Sequence, residues 1–583
     1  MAIKTIKVAA DFETTTDPND VRVWAACAVD INTLETVHIS NSIDSFFEWA
    51  KDKHVTAYFH NLKFDGEFII SYLLRNGFTY SESREPRTFS TLITDMGLFY
   101  SITVIFEKKN KKYKKITFYD SLKKLPFKVA TIARAFELED KKLSIDYDAP
   151  RPIGHELTDE EKEYIVADCR IVAAALKIQF EKGLKRMTNA SDAIGYYKEL
   201  MTPRQFDYYF PKLPLEIDDD IRRAYKGGYV YLKPEYKNRY GLQGITLDVN
   251  SLYPWAMRYN VLPWGYPLYF EGEPVENDAY PLYIVRIECA FDLKPNHLPT
   301  IQLKHSRAFM PTEYLTTSDG EIVEMTLTNV DLELMKDHYI ISDLKYINGW
   351  RFKGRQGLFD EYIDHWVQVK KDNEGAVRQL AKLMLNSLYG KFAKNPRTQK
   401  KAPTIDRDEI VHYILEDVEI GDPVYTAMAA FITAYAKNKT IRSGQKVYDR
   451  FIYCDTDSLH LIGYDIPDDL DVHPKNLGAW KHEGNFVKSK YLRAKTYMET
   501  MCKEKPDTLK NYASLMGKCD DLITDGVTIT YYVTTVTCAG MPDNVKSHVN
   551  YHNFHTGSTF DGKLLPRRYK GGVVLESTTF SIK

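Results

Sequence analysis

The sequence has few cysteines and no long apolar run. Its 583 residues include seven cysteines, with no CxxC pair and no regular spacing, which argues against a disulfide framework or a zinc site. The longest apolar stretch, YTAMAAFITAYA at 425–436, is too short to span a membrane. The N-terminus, MAIKTIKVAADFE, becomes acidic before an apolar run of signal-peptide length develops. We therefore expect a cytosolic protein with no membrane partner.

An excess of charge of one sign is also lacking. The net charge is −2, so a nucleic-acid-binding chain with this balance must segregate its charges into basic tracks and acidic patches. Two basic tracks are present, KKNKKYKK at 108–115 and PRRYK at 566–570, although such tracks are more often solvated loops. Aromatic residues are abundant, because 41 tyrosines and 28 phenylalanines can pack, stack or hydrogen-bond. Several domains of about 100–200 residues each are expected.

Hydrophobic patterning divides the chain into regions. Residues 1–190 alternate strand-like and helix-like patterns, which predicts an α/β domain, and a helix over 158–182 opens with a capping box. A strand is predicted at 244–254, mixed short strands at 260–357, and two helices at about 358–392 and 425–447. The polar stretch between those helices contains IVHYILEDVEI, which favours a strand, and KKAPTI, its candidate partner in a hairpin.

The stretch YCDTDS at 453–458 places two carboxylates one residue apart. On an extended strand Asp455 and Asp457 would point to the same face and repel each other unless a divalent cation lay between them. A solvated turn is the alternative, since Asp-Thr-Asp also suits turns. A second acidic strand, LDVNSLYP, carries Asp248. If the two strands paired, three carboxylates would meet, which suits two divalent ions about 3.5–4 Å apart.

The segment RQLAKLMLNSLYGKF at 378–392 predicts an amphipathic helix. Lys382, Asn386 and Tyr389 lie at i, i+4 and i+7, so they share one face of that helix. A cation, an amide and an aromatic ring in one stripe can neutralise a triphosphate and cover a base, and Lys370 adds a second candidate phosphate contact. The alternative is an ordinary amphipathic helix with a polar face in solvent.

A second acidic set lies near the N-terminus. Asp11 and Glu13 fall on one face of a predicted strand, and Asp65 follows in HNLKFDG. Asp168 comes one helical turn after Tyr164 in YIVAD, so both side chains project together. Each pattern is weak alone. Four carboxylates and a tyrosine together suit two-metal hydrolysis of a phosphodiester.

Several motifs match those of a known family in order and spacing. DVNSLYP, KLMLNSLYG and YCDTDS resemble the three polymerase motifs of family B DNA polymerases, and YKGG at 225–228 and KTY at 495–497 resemble two further motifs of that family. The N-terminal acidic set resembles the three exonuclease motifs of proofreading domains. The insertions at 260–357 and 394–425 resemble those of the protein-primed bacteriophage branch, the phi-29 type. The resemblance covers essentially the whole chain.

The resemblance implies a multidomain fold of the α/β and α+β classes. An RNase-H-like 3′→5′ exonuclease domain would precede a right-hand polymerase of palm, fingers and thumb with two insertions. The implied boundaries are 1–188 for the exonuclease, 189–259 and 426–537 for the palm, 260–357 and 394–425 for the insertions, 358–393 for the fingers and 538–583 for the thumb. The segment between Tyr497 and CAGM at 538–541 is roughly ten residues longer than the family pattern.

The resemblance also implies a role for each candidate residue. In the polymerase site, the implied metal-binding residues are Asp248, Val249, Asp455 and Asp457. The implied nucleotide contacts are Tyr253, Lys370, Lys382, Asn386 and Tyr389. The implied DNA contacts are Tyr225, Gly227, Gly228, Lys495 and Tyr497. In the exonuclease site, the implied metal-binding residues are Asp11, Glu13, Asp65 and Asp168, the implied catalytic partners are Tyr164 and Lys142 (with Lys141 beside it), and the implied DNA contacts are Asn61, Phe64, Ser121 and Leu122.

The expected function is therefore replicative, DNA-dependent DNA polymerisation. The resemblance implies a processive, strand-displacing enzyme that starts from a hydroxyl of a terminal protein and proofreads its product. Two Mg²⁺ ions per active site are implied, with Mn²⁺ as a substitute. The implied partners are template and primer DNA, dNTPs and the terminal protein, in the cytoplasm of an infected bacterium. A conventional family B polymerase that extends only nucleic-acid primers is the alternative, and a binding protein with decayed sites is disfavoured because every expected carboxylate is present.

Overall fold

The computed structural model describes residues 5–109, 112–302 and 314–583. Part of the basic track at 108–115 and residues 303–313 of the first predicted insertion lie outside these ranges. The N-terminal region contains eight strands and four helices, namely β1 Thr5–Thr14, β2 Val23–Asp30, β3 Thr36–Ser40, α1 Ile43–Ala50, β4 His54–Phe59, α2 Leu62–Arg75, β5 Thr79–Tyr80, β6 Thr88–Ile93, β7 Phe99–Lys109, β8 Lys112–Asp120, α3 Val129–Ala135 and α4 Asp159–Glu181.

These strands form one mixed sheet in the order β3-β2-β1-β4-β8-β7-β6-β5. Strand β1 lies inside the sheet, antiparallel to β2 and parallel to β4, and its apolar positions are buried. Helix α4 packs on β1 and β2. Its start follows the prediction, since the Thr158 side chain accepts from the Glu161 amide and Glu161 reaches back to the Thr158 amide.

The next region leads into a second sheet. It contains α5 Asn189–Glu199, α6 Pro203–Tyr209, α7 Leu215–Arg222, β9 Val230–Leu232, β10 Gly244–Val249 and α8 Leu252–Tyr259. The predicted strand over 244–254 is therefore wrong beyond Val249. Ser251 has a left-handed backbone, with φ 58°, which ends the strand and starts α8. Asp248 thus lies on a strand, whereas Tyr253 lies on a helix.

Residues 260–357 form mostly strands, as predicted. The described elements are β11 Leu262–Glu271, β12 Leu282–Leu293, β13 Ile301–Gln302, β14 Tyr314–Leu315, β15 Val323–Thr328, α9 Asn329–His338 and β16 Tyr339–Arg355. Four of them form a separate sheet in the order β11-β16-β12-β15. Val285, Ile287 and Met335 belong to a separate core cluster, whereas Ile284 and Phe352 of the same sheet are buried in the large core of the molecule.

The single helix predicted over 358–392 is wrong. The structure has three helices there, α10 Asp360–Asp372, α11 Gly375–Ser387 and α12 Tyr389–Phe392. The first break follows Asp372, because Asn373 is extended and Gly375 has φ 52°. Helices α10 and α11 then pack against each other as a helical pair. Tyr389 begins α12 and so does not continue the helix of Lys382 and Asn386.

The polar stretch after these helices forms the predicted hairpin, β17 Arg397–Ile405 and β18 Val411–Ile420. The hairpin does not protrude freely, because it packs on the N-terminal region. The amide of Asp95 donates to the carbonyl of Gln399 (2.9 Å), and the Tyr80 hydroxyl donates to Glu416 (3.0 Å). Val411, at the start of β18, is buried in the N-terminal core.

The following region completes the second sheet. It contains α13 Thr426–Lys446, β19 Phe451–Asp455, β20 Ser458–Ile462, β21 Trp480–Arg493, β22 Thr496–Pro506, α14 Leu509–Leu515, β23 Asp521–Thr524 and β24 Thr528–Cys538. The central sheet has the order β23-β24-β22-β21-β10-β20-β19-β9. The segment between Tyr497 and CAGM, predicted to be longer than the family pattern, contains α14 and the edge strand β23.

The C-terminal region consists of α15 Asp543–Lys546 and a hairpin, β25 Thr559–Tyr569 and β26 Gly572–Ser581. The two hairpins and helix α2 meet at what we term the tip junction, formed by Glu67, Arg75, Glu409, Tyr413, Arg568 and Lys570. Buried Glu67 accepts from the Tyr413 hydroxyl (2.9 Å) and from Arg568 Nε (3.1 Å). Glu409 pairs with Lys570 (2.7 Å) and Arg75 (3.2 Å).

All seven cysteines lie in the described ranges and are free thiols. Within those ranges, none of the helices combines the length and the apolar character needed to cross a membrane.

Candidate active sites

Asp455 and Asp457 occupy a tight turn between two strands of the central sheet. Strand β19 ends at Asp455, Thr456 has a left-handed backbone with φ 60°, and the Asp457 amide donates to the Asp455 carbonyl (2.7 Å). The expectation that both carboxylates share one strand face is therefore wrong, and the turn alternative describes the backbone. The turn is held in place because the Thr456 amide donates to the carbonyl of Tyr229 (2.7 Å).

Asp248 lies beside this turn, although not through the predicted pairing. Strand β10 pairs with β20, which follows the turn, so that both Asp248 and Asp455 are register partners of Ser458. The Val249 amide donates to the Asp457 carbonyl (2.7 Å) and ties the end of β10 to the turn. The three predicted carboxylates thus lie together.

The charges of this group are costly in the folded protein. Burial, and next the charge of Asp457, raise the pKa of Asp248 to about 7. Burial and the charge of Asp455 raise the pKa of Asp457. Lys495 balances part of this charge, since its Nζ lies 3.1 Å from Asp455 Oδ1. Lys495 is itself in the left-handed region, with φ 55°.

Two stacked tyrosines lie near the acidic group. The rings of Tyr253 and Tyr389 are 4.1 Å apart between centroids and 17° from parallel. Tyr253 comes from α8 and Tyr389 from α12, so the stack joins the helix that follows β10 to the helix that follows the helical pair. Burial and the neighbouring ring raise the pKa of the Tyr253 hydroxyl well above its ordinary value. Asn386, near the end of α11, is exposed.

Cations of the helical pair lie close together. Burial, then the charges of Arg378 and Lys382, lower the pKa of Lys370, whose Nζ lies 3.2 Å from Ser251 Oγ. Burial and Arg378 likewise lower the pKa of Lys382. The sequence reasoning missed Arg378, which lies four residues before Lys382 and extends the same helical stripe.

The other predicted DNA contacts surround the turn. A Cβ at Gly228 would lie 2.4 Å from Thr456 Oγ1, so glycine is required there by contact with the turn. A Cβ at Gly227 would meet no atom within 4 Å. Tyr225 is partly buried in the core. Tyr497 packs its ring against those of Tyr453 and Tyr491 at 5.1 and 5.5 Å.

The second acidic group lines a cavity of about 640 Å³ in the N-terminal region. Strand β1 supplies Asp11 and Glu13, as predicted, while helix α2 supplies Asp65 and helix α4 supplies Tyr164 and Asp168. The wall also includes His60, Phe64, Lys142, Tyr147, Leu564 and Leu575. Leu564 and Leu575 come from the C-terminal hairpin, and no local pattern in the sequence predicts that they line this cavity.

Burial and mutual repulsion dominate the electrostatics of this cavity. Burial, then the charge of Asp168, raise the pKa of Asp11 to about 7. Burial and neighbouring carboxylates raise the pKa values of Glu13 and Asp65 well above their ordinary range. Two buried carboxylate oxygens, Asp65 Oδ1 and Asp168 Oδ1, have no hydrogen-bond partner. Such groups call for a cation.

Of the adjacent residues Lys141 and Lys142, Lys142 contacts the acidic group of the cavity. Lys142 forms an ion pair with Asp168 and lies 3.2 Å from the Tyr164 hydroxyl, whereas Lys141 lines a separate surface depression. The sequence reasoning missed Tyr147, whose hydroxyl bonds to that of Tyr164. No neighbouring motif pointed to it.

The predicted DNA contacts of this region differ in exposure. Asn61 precedes α2 with φ 72°, and both Asn61 and Phe64 line the cavity. Ser121 is fully buried, and its hydroxyl donates to the Phe59 carbonyl (3.1 Å) and lies 3.0 Å from His60 Nδ1. Ser121 and Leu122 are not part of the cavity wall. His60 does line the cavity, but the sequence reasoning missed this residue although it directly precedes Asn61.

The comparisons with known proteins agree with this geometry. The model of DNA polymerase type B, organellar and viral, matches residues 49–158 and 150–474. The chain belongs to the type B DNA polymerases. It is 46% identical to the DNA polymerase of Bacillus phage B103 over 577 residues, which cover 99% of both chains. Its activity is DNA-directed DNA polymerisation.

Two solved structures of phi29 DNA polymerase resemble this polymerase over its length. One, with primer-template DNA, has a TM-score of 0.93 and 44% identity and covers 100% of both chains. The other, with primer-template DNA and incoming nucleotide substrates, has a TM-score of 0.90 and 45% identity and covers 99% of this chain and 100% of that one. The multidomain α/β fold is thereby shown.

Both acidic groups of the polymerase fit divalent cations in charge and ligand type. Carboxylate oxygens are the ligands that Mg²⁺ prefers, and a bound cation would relieve the repulsion that raises these pKa values. In the described part of the chain, no group of three or more His, Cys, Asp or Glu side chains is already arranged to hold a metal ion.

Proposed function

We propose that this chain is a replicative polymerase that synthesises DNA at the Asp248 group and removes 3′-terminal nucleotides at the Asp11 group. The observation that carries this proposal is the presence of two separate acidic groups. The Asp248 group has stacked aromatic rings and a cluster of cations beside it, and the Asp11 group lines a cavity. Synthesis needs a nucleoside triphosphate to be held, whereas removal of a nucleotide does not.

In this proposal the regions take the roles of a right hand. Residues 1–188 are the exonuclease domain, and the central sheet is the palm, in the segments 189–259 and 426–537. The helical pair of 358–393 forms the fingers and the C-terminal 538–583 the thumb. The segments 260–357 and 394–425 are the two insertions of the protein-primed branch. The palm boundary falls one residue before the end of β24.

In synthesis, the primer hydroxyl attacks the α-phosphate and pyrophosphate leaves. Tyr389 lies under the incoming base, Tyr253 lies against its sugar, and Asn386 borders the same space. Lys370 and Lys382 hold the phosphates, while Lys495 and Tyr497 position the primer end. Tyr225, Gly227 and Gly228 lie along the template. Asp248, Asp457, Asp455 and the Val249 main chain would hold two Mg²⁺ ions, which stabilise the charge of the phosphates when bound.

In proofreading, the frayed 3′ end enters the N-terminal cavity. Phe64 stacks on a base, Asn61 contacts the strand by its amide, and Ser121 and Leu122 support this wall. Tyr164 and Lys142 orient the scissile phosphate. Asp11, Glu13, Asp65 and Asp168 would hold Mg²⁺, which lowers the pKa of a bound water when present.

The partners follow from the relatives. Solved complexes of phi29 DNA polymerase contain primer-template DNA and incoming nucleotides, and we assign the same partners to this chain. We further propose that a terminal protein supplies the first hydroxyl, in a heterodimer with the polymerase, within the cytoplasm of an infected bacterium. Incubation with a candidate terminal protein and labelled dATP tests this step. Label on an oligonucleotide primer but never on the protein would favour the conventional alternative.

The central proposal is tested by separating the two activities. Asp455→Ala and Asp457→Ala should each reduce primer extension at least about a hundredfold, because a carboxylate of the metal group is lost, while leaving 3′-end degradation largely intact. Asp11→Ala combined with Glu13→Ala should do the converse. Labelled primer-template, assayed with and without dNTPs, measures both activities. If either change removed both activities from a folded protein, the assignment of two independent sites would fail.

A further inference from the structure

Strand β21 places a lysine directly opposite Asp248. In the antiparallel pairing of β10 with β21, Asp248 is the register partner of Lys481 and Leu247 of His482, whereas Thr246 pairs with Gly484. Glu483 is therefore the extra residue of a β-bulge beside the acidic group. Directly opposite residues of antiparallel strands point to the same face, with Cβ atoms about 4.5–5.5 Å apart. Bulges next to active sites re-aim side chains.

The present partner of Lys481 is an exposed carboxylate. Its Nζ lies 2.6 Å from Glu483 Oε1, and both side chains are 42% exposed. An ion pair as exposed as this contributes about 0–1 kcal/mol, so it is readily exchanged for a stronger partner. Lys481 is therefore available to a more highly charged anion.

Lys481 also acts on the cations of the helical pair. Its charge opposes the rise in the pKa of Asp248, and it contributes to the lowered pKa values of Lys370 and Lys382. Lys481 is thus within electrostatic reach of the acidic group on its own sheet and of Lys370 and Lys382 on α10 and α11. Arg378 acts on the same two lysines, so four cationic side chains lie near one another.

Four cations held close together repel one another unless an anion lies between them. A nucleoside triphosphate carries its charge mainly on the β- and γ-phosphates, and pyrophosphate carries the same groups after transfer. Fixed Lys and Arg side chains stabilise such charge in phosphoryl transfer. The three cations of the helical pair approach from one side, and the palm side needs a counterpart.

We propose that Lys481 is that counterpart, a substrate-contacting cation that leaves Glu483 to bind the β- and γ-phosphates of the incoming nucleotide and the pyrophosphate product. The inference rests on the proposed polymerase site. Lys481 exchanges no proton in this step. The primer hydroxyl loses its proton to solvent as its oxygen bonds to the α-phosphorus, the bond from that phosphorus to pyrophosphate breaks, and the positive charge of Lys481 balances charge on the leaving group. A purely structural role, in which the Lys481–Glu483 pair only secures the bulge, is the competing interpretation.

The test compares Lys481→Ala and Lys481→Arg with Lys503→Ala, a control at an exposed lysine of β22 in the same sheet. Half-saturating dNTP is measured in single-nucleotide extension, and half-saturating pyrophosphate in the reverse reaction. Lys481→Ala should raise both concentrations about tenfold, the effect of losing about 1.4 kcal/mol. Lys481→Arg should restore most of the affinity. Exonuclease rate and Tm should match the wild type, as in Lys503→Ala.

Each other result decides against the inference. Unchanged half-saturation for both ligands would overturn it, and so would a change for dNTP without a change for pyrophosphate, because the assigned contact is to shared phosphates. A parallel loss of exonuclease activity and Tm would assign Lys481 a structural role, and Lys481→Gln would then have to show the phosphate effect in a folded protein for the inference to stand. Failure of the wild type to extend primers would instead refute the proposed function.

Discussion

Four residues of the two proposed sites have left-handed backbones although none is glycine: Asn61, Ser251, Thr456 and Lys495. Such conformations cost about 1–3 kcal/mol each and persist where the surrounding structure enforces them. At Thr456 two contacts hold the backbone in this conformation: its amide donates to the Tyr229 carbonyl, and its side chain packs against Gly228. The strain therefore aims Asp455 and Asp457 in directions that a plain strand would not allow.

Tyr253→Val should allow ribonucleotide incorporation. The Tyr253 ring is fixed by its stack on Tyr389, so in the proposed site it occupies the space that a 2′-hydroxyl needs. Preference for dNTP over rNTP, measured as the ratio of kcat/KM values, should fall at least about tenfold. Tyr259→Val, at the exposed end of the same helix, is the matched control. Unchanged preference in Tyr253→Val would remove this residue from sugar discrimination.

Asp11→Asn should stabilise the metal-free protein more at pH 8 than at pH 5. The folded-state pKa of Asp11 is raised to about 7 by burial and Asp168, from an ordinary value of 3.8, so the folded state holds the proton more tightly than the unfolded state. Stability supplied by this protonation is present at low pH and is lost as the pH rises from about 4 through 7. The uncharged side-chain amide introduced by Asp11→Asn does not ionise, so this variant does not lose that stability at high pH.

Thermal unfolding in a chelator at both pH values measures the effect, which has an upper limit of roughly 4 kcal/mol. Added Mg²⁺ should raise the Tm of the wild type more at pH 8 than at pH 5, and should do so less in Asp11→Asn. Asp278→Asn, in an exposed loop, is the control. Equal Tm values of Asp11→Asn and wild type at pH 8 would contradict the electrostatic account.

Among the elements, those fixed by local chemistry could be predicted. The capping box starts α4, and the two strands of the 394–425 hairpin follow from their composition. The seven site carboxylates and Lys142 could be located from motifs that resemble those of a known family. Their meeting in space depends on contacts between separate elements, which the motifs alone do not give.

Other elements depended on information that the local pattern lacks. Two aspartates at i and i+2 fit a strand and a turn equally well, and the tertiary contacts of Thr456 decide for the turn. The helix break after Asp372 had a local signal in Asn-Glu-Gly that was overlooked. Lys481 and Leu575 reach the two sites only through strand register and docking of the C-terminal hairpin, which the sequence order does not encode locally.

For the whole molecule, the 394–425 hairpin connects regions that are far apart in sequence. It begins after the helical pair, lies along the N-terminal region and meets the C-terminal hairpin at the tip junction. We propose that this closed path of contacts encircles DNA. The enzyme would then stay on its template without a clamp and exclude the non-template strand without a helicase.

Replacing residues 397–417 with a short Gly-Ser linker tests this proposal. Gap filling on primed single strands should stay nearly normal, because the proposed active-site residues are untouched. Products on a primed circle, with competitor DNA added after initiation, should be sharply shorter, and synthesis should stop at duplex. Retained exonuclease activity would show that the variant is folded, and full-length displacement products from it would refute the proposed ring.

The tip junction has a topological consequence. It is made of ion pairs and a tyrosine hydroxyl, so it can break and re-form without chemistry. A strand threaded through a loop closed in this way leaves only along its own axis or when the closure ruptures, and its residence time then depends on its length more than on affinity. Entry of DNA into such a closed loop is limited in the same way. A linear molecule can be threaded from an end, whereas a covalent circle must wait for the junction to open.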